Sequence, residues 1–167
     1  MSRFSFPVEV RFRDLDALGH VNNAVYLTYL ESARIAYWFE VTRRSGLGDL
    51  DMILARIEVD YRSPVSLGDS LEVSVRCASI RRSSFVMAFE IREPRTGRLV
   101  AEGRKVLVHY DYAAGKPMPL PPDLRALLRA QDPDVVEDQP SSFSEAAPPS
   151  QGSSSSKSNP PSRQGPR

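Results

Sequence analysis

Residues 6–43 read FPVEVRFRDLDALGHVNNAVYLTYLESARIAYWFEVTR, and a change of period inside this stretch decides the fold. Phe6, Val8, Val10 and Phe12 alternate with Pro7, Glu9, Arg11 and Arg13. A period of two predicts a strand with one buried face. From residue 24 the spacing lengthens. Tyr26, Leu30, Ala33, Tyr37 and Val41 recur at intervals of three and four, while Leu27, Tyr29, Ile35, Ala36, Trp38 and Phe39 widen the apolar surface. This predicts one helix over residues 24–43, ended by Arg43, Arg44 and Gly46. A helix apolar nearly all round is expected to be buried, which leaves Thr28, Glu31, Ser32, Arg34 and Glu40 as polar exceptions needing a reason. Asn22 or Asn23 suits the N-cap, and Gly19 gives the preceding turn backbone freedom.

Four more alternating stretches follow. Ile53, Ala55, Ile57, Val59 and Tyr61 form one apolar set; Leu71, Val73, Val75 and Cys77 another; Phe85, Met87, Phe89 and Ile91 a third. The last strand runs from about Leu99 to Tyr110. Pro64 with Gly68-Asp69, the stretch Arg81–Ser84 and Pro94-Arg-Thr-Gly97 punctuate them as turns. A short helix is expected near 123–130. Short turns imply antiparallel pairing. The predicted class is α+β: a five-stranded antiparallel sheet wrapped around one long central helix. Sheet edges need covering, so pairing of two sheets edge to edge, and at least a dimer, is expected.

Composition bounds the rest. The chain has 167 residues, 41% hydrophobic and 26% charged, with a formal net charge of +1 from 22 basic and 21 acidic residues. That balance gives no general attraction to nucleic acid. No apolar run approaches the roughly 20 residues of a membrane helix, so no membrane partner is expected. The first seven residues lack an apolar core, so no signal peptide is expected. Cys77 is the single cysteine, which excludes an internal disulfide and fits a cytoplasmic location. After Gln139 Ser, Pro and Gly dominate and Phe143 is the one aromatic residue. The expected organisation is a folded domain over 1–132 and a disordered Ser/Pro-rich tail over 133–167.

The chemistry concentrates between strand and helix. Asp14, Asp16, His20, Asn22 and Asn23 converge where a helix start exposes free N–H groups and partial positive charge. One reading is turn formation and capping. The other is an acyl-transfer site, with a carboxylate beside an oxyanion-binding helix end. No G-x-S-x-G elbow is present, and His20 and His109 sit in no zinc-binding context; a cation between Asp14, Asp16 and His20 is a minor option.

The pattern D-x-D-x-x-G-H-V-N-N-x-x-Y-x-x-x-x-E-x-x-R over Asp14–Arg34 closely resembles hot-dog-fold acyl-CoA thioesterases of the 4-hydroxybenzoyl-CoA thioesterase type. The resemblance continues through Tyr61-Arg-Ser-Pro64, Leu67-Gly-Asp69, Ser83-Ser-Phe85 and Gly115–Pro121, and covers roughly residues 6–130. It implies a hot-dog fold and hydrolysis of an acyl-CoA or related acyl thioester. It makes Asp16 the catalytic carboxylate, as nucleophile or general base. It places Asn23 where the family uses a backbone N–H to polarise the thioester carbonyl. His20 is a catalytic candidate by the same resemblance. The extra Asn that plant acyl-carrier-protein thioesterases carry two residues after the Asp is Leu18 here, so packing or loop bonding stands ahead of catalysis for His20. Asn22, Tyr26, Tyr29 and Glu31 are expected to line or support the substrate site. Arg81, Arg82 and Ser84 match a region that contacts the nucleotide in some relatives, against the plain reading of solvated turn residues; Arg104 and Lys105 are weaker phosphate candidates. Coenzyme A enters as part of the substrate, and no separate cofactor or metal is expected. A homodimer or homotetramer is expected. A hydratase or dehydratase on the same fold, or a non-catalytic acyl-thioester-binding module, are the competing functions.

Overall fold

A computed structural model describes residues 4–44, 46 and 50–137. The chain forms β1 (Phe4–Glu9), a 3-10 turn (Phe12–Asp14), α1 (Val25–Thr42), β2 (Met52–Tyr61), β3 (Ser70–Ile80), β4 (Ser84–Glu93) and β5 (Arg98–Asp111). Two-residue β6 (Lys116–Pro117), α2 (Pro122–Gln131) and two-residue β7 (Val136–Glu137) complete it. The five long strands match the expected sheet. Their order is β1-β3-β4-β5-β2, with antiparallel neighbours throughout. The short strands extend that picture: β6 pairs the end of β5, and β7 pairs β3 in parallel. β7 carries ordered chain past the expected boundary at 132; the rest of the expected tail lies outside the described residues.

The register gives the sheet two ends. Glu9 faces Ser70, and Tyr61 faces Ala101, so the C-termini of β1 and β2 share one end with the start of β3. Met52, Ile80, Ser84 and His109 mark the other. α1 starts at the first end and lies along one sheet face. Tyr26, Tyr29, Leu30, Ala33, Tyr37, Trp38 and Val41 are buried with Leu71, Val73, Val75 and Cys77 of β3 and Phe85, Met87, Phe89 and Ile91 of β4. This is the hot-dog arrangement of a sheet around a central helix. At Gly103 a Cβ would stand 2.0 Å from the Glu58 carbonyl oxygen, so only glycine lets β2 and β5 approach there.

Three expectations change. β1 ends at Glu9, and the 3-10 turn that follows swings Phe12 out to 80% exposure. In β2 the register shifts between Leu54 and Arg56, which leaves Ala55 exposed rather than in the apolar row. α1 is not buried all round: Leu27, Thr28, Glu31 and Ser32 face outward, while the polar Arg34 is buried.

The far end is closed by one carboxylate. Asp132, at the end of α2, accepts the Tyr37 hydroxyl (2.5 Å) and the Cys77 N–H (2.8 Å), just beyond the point where β1 stops covering β3. Burial and then the Asp132 charge push the Cys77 thiol up to about 12, so it is a core residue and no nucleophile. No helix among the described residues is long and apolar enough to cross a membrane.

Lys105 is buried under α1, not presented to a surface phosphate. Its Nζ donates to the Leu30 carbonyl (2.7 Å) and lies 5.9 Å from the Phe89 ring centroid. Burial, then the Arg34 charge, pull its ammonium down to about 8, with Glu31 opposing. Arg34 in turn grips Glu31 through Nε (3.0 Å) and Nη2. Between about pH 8 and 10.5 the folded chain sheds the Lys105 proton while the unfolded chain keeps it, so stability rises with pH across that window. Denaturant unfolding at pH 8 and pH 10 should show the wild type gaining about 2 kcal/mol relative to Lys105→Met. Parallel pH trends in the two proteins would contradict the assignment.

Candidate active site

The turn between the 3-10 segment and α1 closes on itself. The Asp16 N–H donates to the His20 carbonyl (2.7 Å), the Gly19 N–H to the Asp16 carbonyl (3.1 Å), and Leu15 bridges Val21. Gly19 takes a φ of +80°, which a β-carbon disfavours. The two aspartates then separate in role. Asp14 is buried. Its Oδ2 accepts the Tyr29 hydroxyl (2.7 Å) and the Arg11 N–H (2.9 Å), and its carbonyl accepts the Asn22 N–H (2.9 Å). Burial pushes the Asp14 carboxyl up, but the Tyr29 hydroxyl, the Arg11 N–H and the charges of Arg11 and Arg13 outweigh it and hold the group below 3.8. Tyr29 is correspondingly raised, by burial first and by Asp14 second.

Asp16 is only half-buried. Its Oδ1 accepts N–H bonds from Leu18 (2.8 Å) and His20 (3.3 Å), and its Oδ2 accepts none among the described residues. One oxygen is fixed by the turn and the other is open. Neither Asn22 nor Asn23 is the N-cap: Asn22 braces the turn just before it, its Oδ1 accepting the Ala24 N–H and its carbonyl the Val25 N–H, both at 2.9 Å. The residue at the N-cap itself, Ala24, has a helical backbone and no side chain to cap with. The Asn23 N–H donates to no group among the described residues. The Asn23 carbonyl accepts the Tyr61 hydroxyl (2.9 Å), and the Tyr61 ring meets Tyr26 edge-on at 5.2 Å.

The turn and helix start thus bring together Asp16, His20, Asn22 and Asn23, with Tyr26 and Tyr29 buried beneath. The Tyr29 hydroxyl is spent on Asp14. His20 is exposed and meets the turn through its main chain, which also bridges Ser66. Glu31 lies on the exposed side of α1, held by Arg34. Arg81, Arg82 and Ser84 sit elsewhere. β3 runs from Ser70 to Ile80, about 35 Å of strand, and carries their turn to the opposite end of the sheet. There α2 pins it: Arg125 Nη2 donates to the Arg81 (2.6 Å) and Arg82 (3.1 Å) carbonyls. Met52 is also at that far end. The part that sequence reading did not supply is Asp14 as the clamp and Tyr61 as its counterpart on β2. The motif resemblance singles out Asp16, but that Asp14 is the buried one is visible only in the fold.

Residues 10–128 match the thioesterase-like superfamily, and the chain belongs to that family. It is similar to a thioesterase from Thermus thermophilus crystallised with coenzyme A and Zn, at 44% identity and a TM-score of 0.69, over 77% of this chain and 93% of that one. The long-chain acyl-CoA thioesterase FadM of Escherichia coli K12 is 28% identical over 72% of this chain and 93% of its own length. The acyl-CoA thioesterase YbgC of Haemophilus influenzae is 28% identical over 74% and 92%. Among the described residues no group of three or more His, Cys, Asp or Glu is placed to hold a metal ion.

Tyr29→Phe leaves the buried Asp14 carboxylate short of a donor and should cost about 1.5–3 kcal/mol at pH 7. Because Asp14 is depressed in the fold, its contribution is present above 3.8 and lost as pH falls below it. Tyr29→Phe should therefore narrow the gap to wild type in urea unfolding at pH 3. A gap that widens in acid would reverse the assigned sign.

Proposed function

We propose that this protein hydrolyses acyl-CoA thioesters to free acid and coenzyme A, with Asp16 as the reacting carboxylate and the Asn23 N–H as donor to the thioester oxygen. The observation that carries this reading is the split state of Asp16: Oδ1 is fixed by two N–H groups while Oδ2 stands open, on a turn that ends in an unengaged N–H. That N–H lies at the positive end of an 18-residue helix. Charge developing on the carbonyl oxygen meets it there, an interaction worth about 3 kcal/mol at comparable sites. Two routes use the same atoms. In one, Oδ2 attacks the carbonyl, the thiolate leaves, and water splits the anhydride. In the other, Oδ2 takes a proton from the attacking water. His20 serves both through its main chain, which orients Asp16. Leu18, Leu27 and Tyr61 expose apolar surface at this end for an acyl group. An acyl-CoA substrate and the unpaired Cys77 accord with a cytoplasmic location.

The site is read as shared between two copies. Among the described residues β2 presents ten residues with β5 as its one neighbour, and its Ile57 and Val59 are only half-buried. Such an edge calls for a partner. Antiparallel pairing of two β2 edges about a two-fold axis sets the far end of a second copy beside the Asp16 end of the first. Arg81, Arg82 and Ser84 of that copy then stand on the side from which the nucleotide of coenzyme A approaches. Arginine's planar fork suits its phosphates.

Thiol release from short, long and aromatic acyl-CoAs should be readily detected, and Asp16→Ala should lower kcat/KM by about 10²–10⁴ with folding intact. Undiminished turnover in Asp16→Ala would remove Asp16 from the chemistry. Asp16→Ala mixed with the doubly substituted Arg81→Ala, Arg82→Ala chain should recover about a quarter of wild-type activity, since half the dimers are mixed and each has one intact site. Absence of recovery would place the arginines outside a shared site.

A further inference from the structure

The Tyr61–Asp69 stretch touches both halves of the site, yet none of its residues reacts. Its first residue, Tyr61, bonds the Asn23 carbonyl. Its middle holds the turn: the Val65 carbonyl accepts the Val21 N–H (2.8 Å), and Ser66 bridges His20. His20 in turn fixes Asp16 twice, accepting its N–H at 2.7 Å and donating to its Oδ1 at 3.3 Å. The Arg62 and Ser63 N–H groups donate to the Val100 carbonyl (2.8 and 3.2 Å) and Ser63 Oγ to the Leu99 carbonyl (2.7 Å), which fixes the start of the stretch on β5; one side chain from β5 then reaches across to its far end. Arg98 Nη1 donates to the Pro64 carbonyl (2.6 Å) and to Ser63 Oγ (3.2 Å), and Nη2 donates to Asp69 Oδ2 (2.9 Å). The same Asp69 oxygen accepts the Ser66 N–H (3.1 Å). One guanidinium therefore ties the beginning and the end of the loop, with the site-bearing residues Val65 and Ser66 between.

We propose that Arg98 is a positioning residue for the Asp16–Asn23 site, acting through the Ser63–Asp69 loop. This rests on the thioesterase reading. The planar fork of Arg98 sets the spacing of three acceptors at once, which an ammonium group does not reproduce. Arg98 and Asp69 are both partly in solvent, so their ion pair contributes little to global stability. Gly68, with a φ of +93°, gives the loop no stiffness of its own. Without the guanidinium the loop stays joined to β2 and β3 but loses its setting, and the His20–Asp16 bonds shift with it. A misplacement near 1 Å at a reacting group lowers turnover by up to about a hundredfold.

The test uses the full chain and the acyl-CoA that the wild type turns over best. Arg98→Ala should lower kcat about tenfold to a hundredfold, with KM within about threefold and only a small change in Tm. Arg98→Lys should recover part of the loss. In the Asp16→Ala background, Arg98→Ala should change the residual rate by less than about twofold, because its effect runs through Asp16. Hydrogen exchange at the Val21 amide should speed up in Arg98→Ala while amides inside α1 stay protected. A kcat within twofold of wild type, a loss confined to KM, an equal loss in the Asp16→Ala background or unchanged Val21 exchange would each overturn this proposal and leave the thioesterase reading standing. A wild type that releases thiol from no acyl-CoA would overturn both.

Discussion

The buried carboxylate of Asp14 is the constraint on which the site depends. It joins three segments: Arg11 at the end of the first strand region, Tyr29 one turn into α1, and, through its carbonyl, Asn22 at the end of the loop. A buried anion with too few donors is costly, so the fold satisfies it, and in satisfying it closes the turn onto the helix. Asp16, two residues on, is thereby relieved of any structural duty beyond its own turn. Its second oxygen is left open because its neighbour has taken the buried position.

The same division of roles recurs in α1. The helix is long and almost wholly apolar, yet one side stays exposed, and its buried polar residue is Arg34. Arg34 holds Glu31, and Lys105 rises from β5 to the Leu30 carbonyl. Two cations, Arg34 and Lys105, are buried at the helix where a simpler core would have aliphatic residues, and the acid that Arg34 holds stays exposed. The cost is visible in the depressed Lys105 ammonium. The result is an outward carboxylate on the exposed side of the helix.

Strand length separates the two parts of the proposed substrate site. The Asp16–Asn23 turn sits where β1 and β2 end, and the Arg81–Ser84 turn sits where β3 ends, at the opposite end of the same sheet. A single chain does not bring them together. The proposed two-fold pairing of β2 edges would bring them together, and it is why the β2 edge enters the proposed function.

Much of this was legible in the sequence. The switch from a period of two to a period of three and four placed β1 and α1, and the alternating sets at 71–77 and 85–91 placed β3 and β4, because buried faces impose their spacing on the chain locally. The Asp14–Arg34 motif marked the turn. What the sequence left open was decided by contacts between distant residues: which of two aspartates is buried, that Ala24 rather than Asn22 or Asn23 takes the N-cap, that Lys105 points inward, that β1 stops before Phe12, and that Arg98 reaches a carbonyl 34 residues away. Local periodicity follows from the geometry of one element at a time. The role of a polar side chain follows from the donors and acceptors that the folded chain sets around it, and those come from everywhere in the sequence at once.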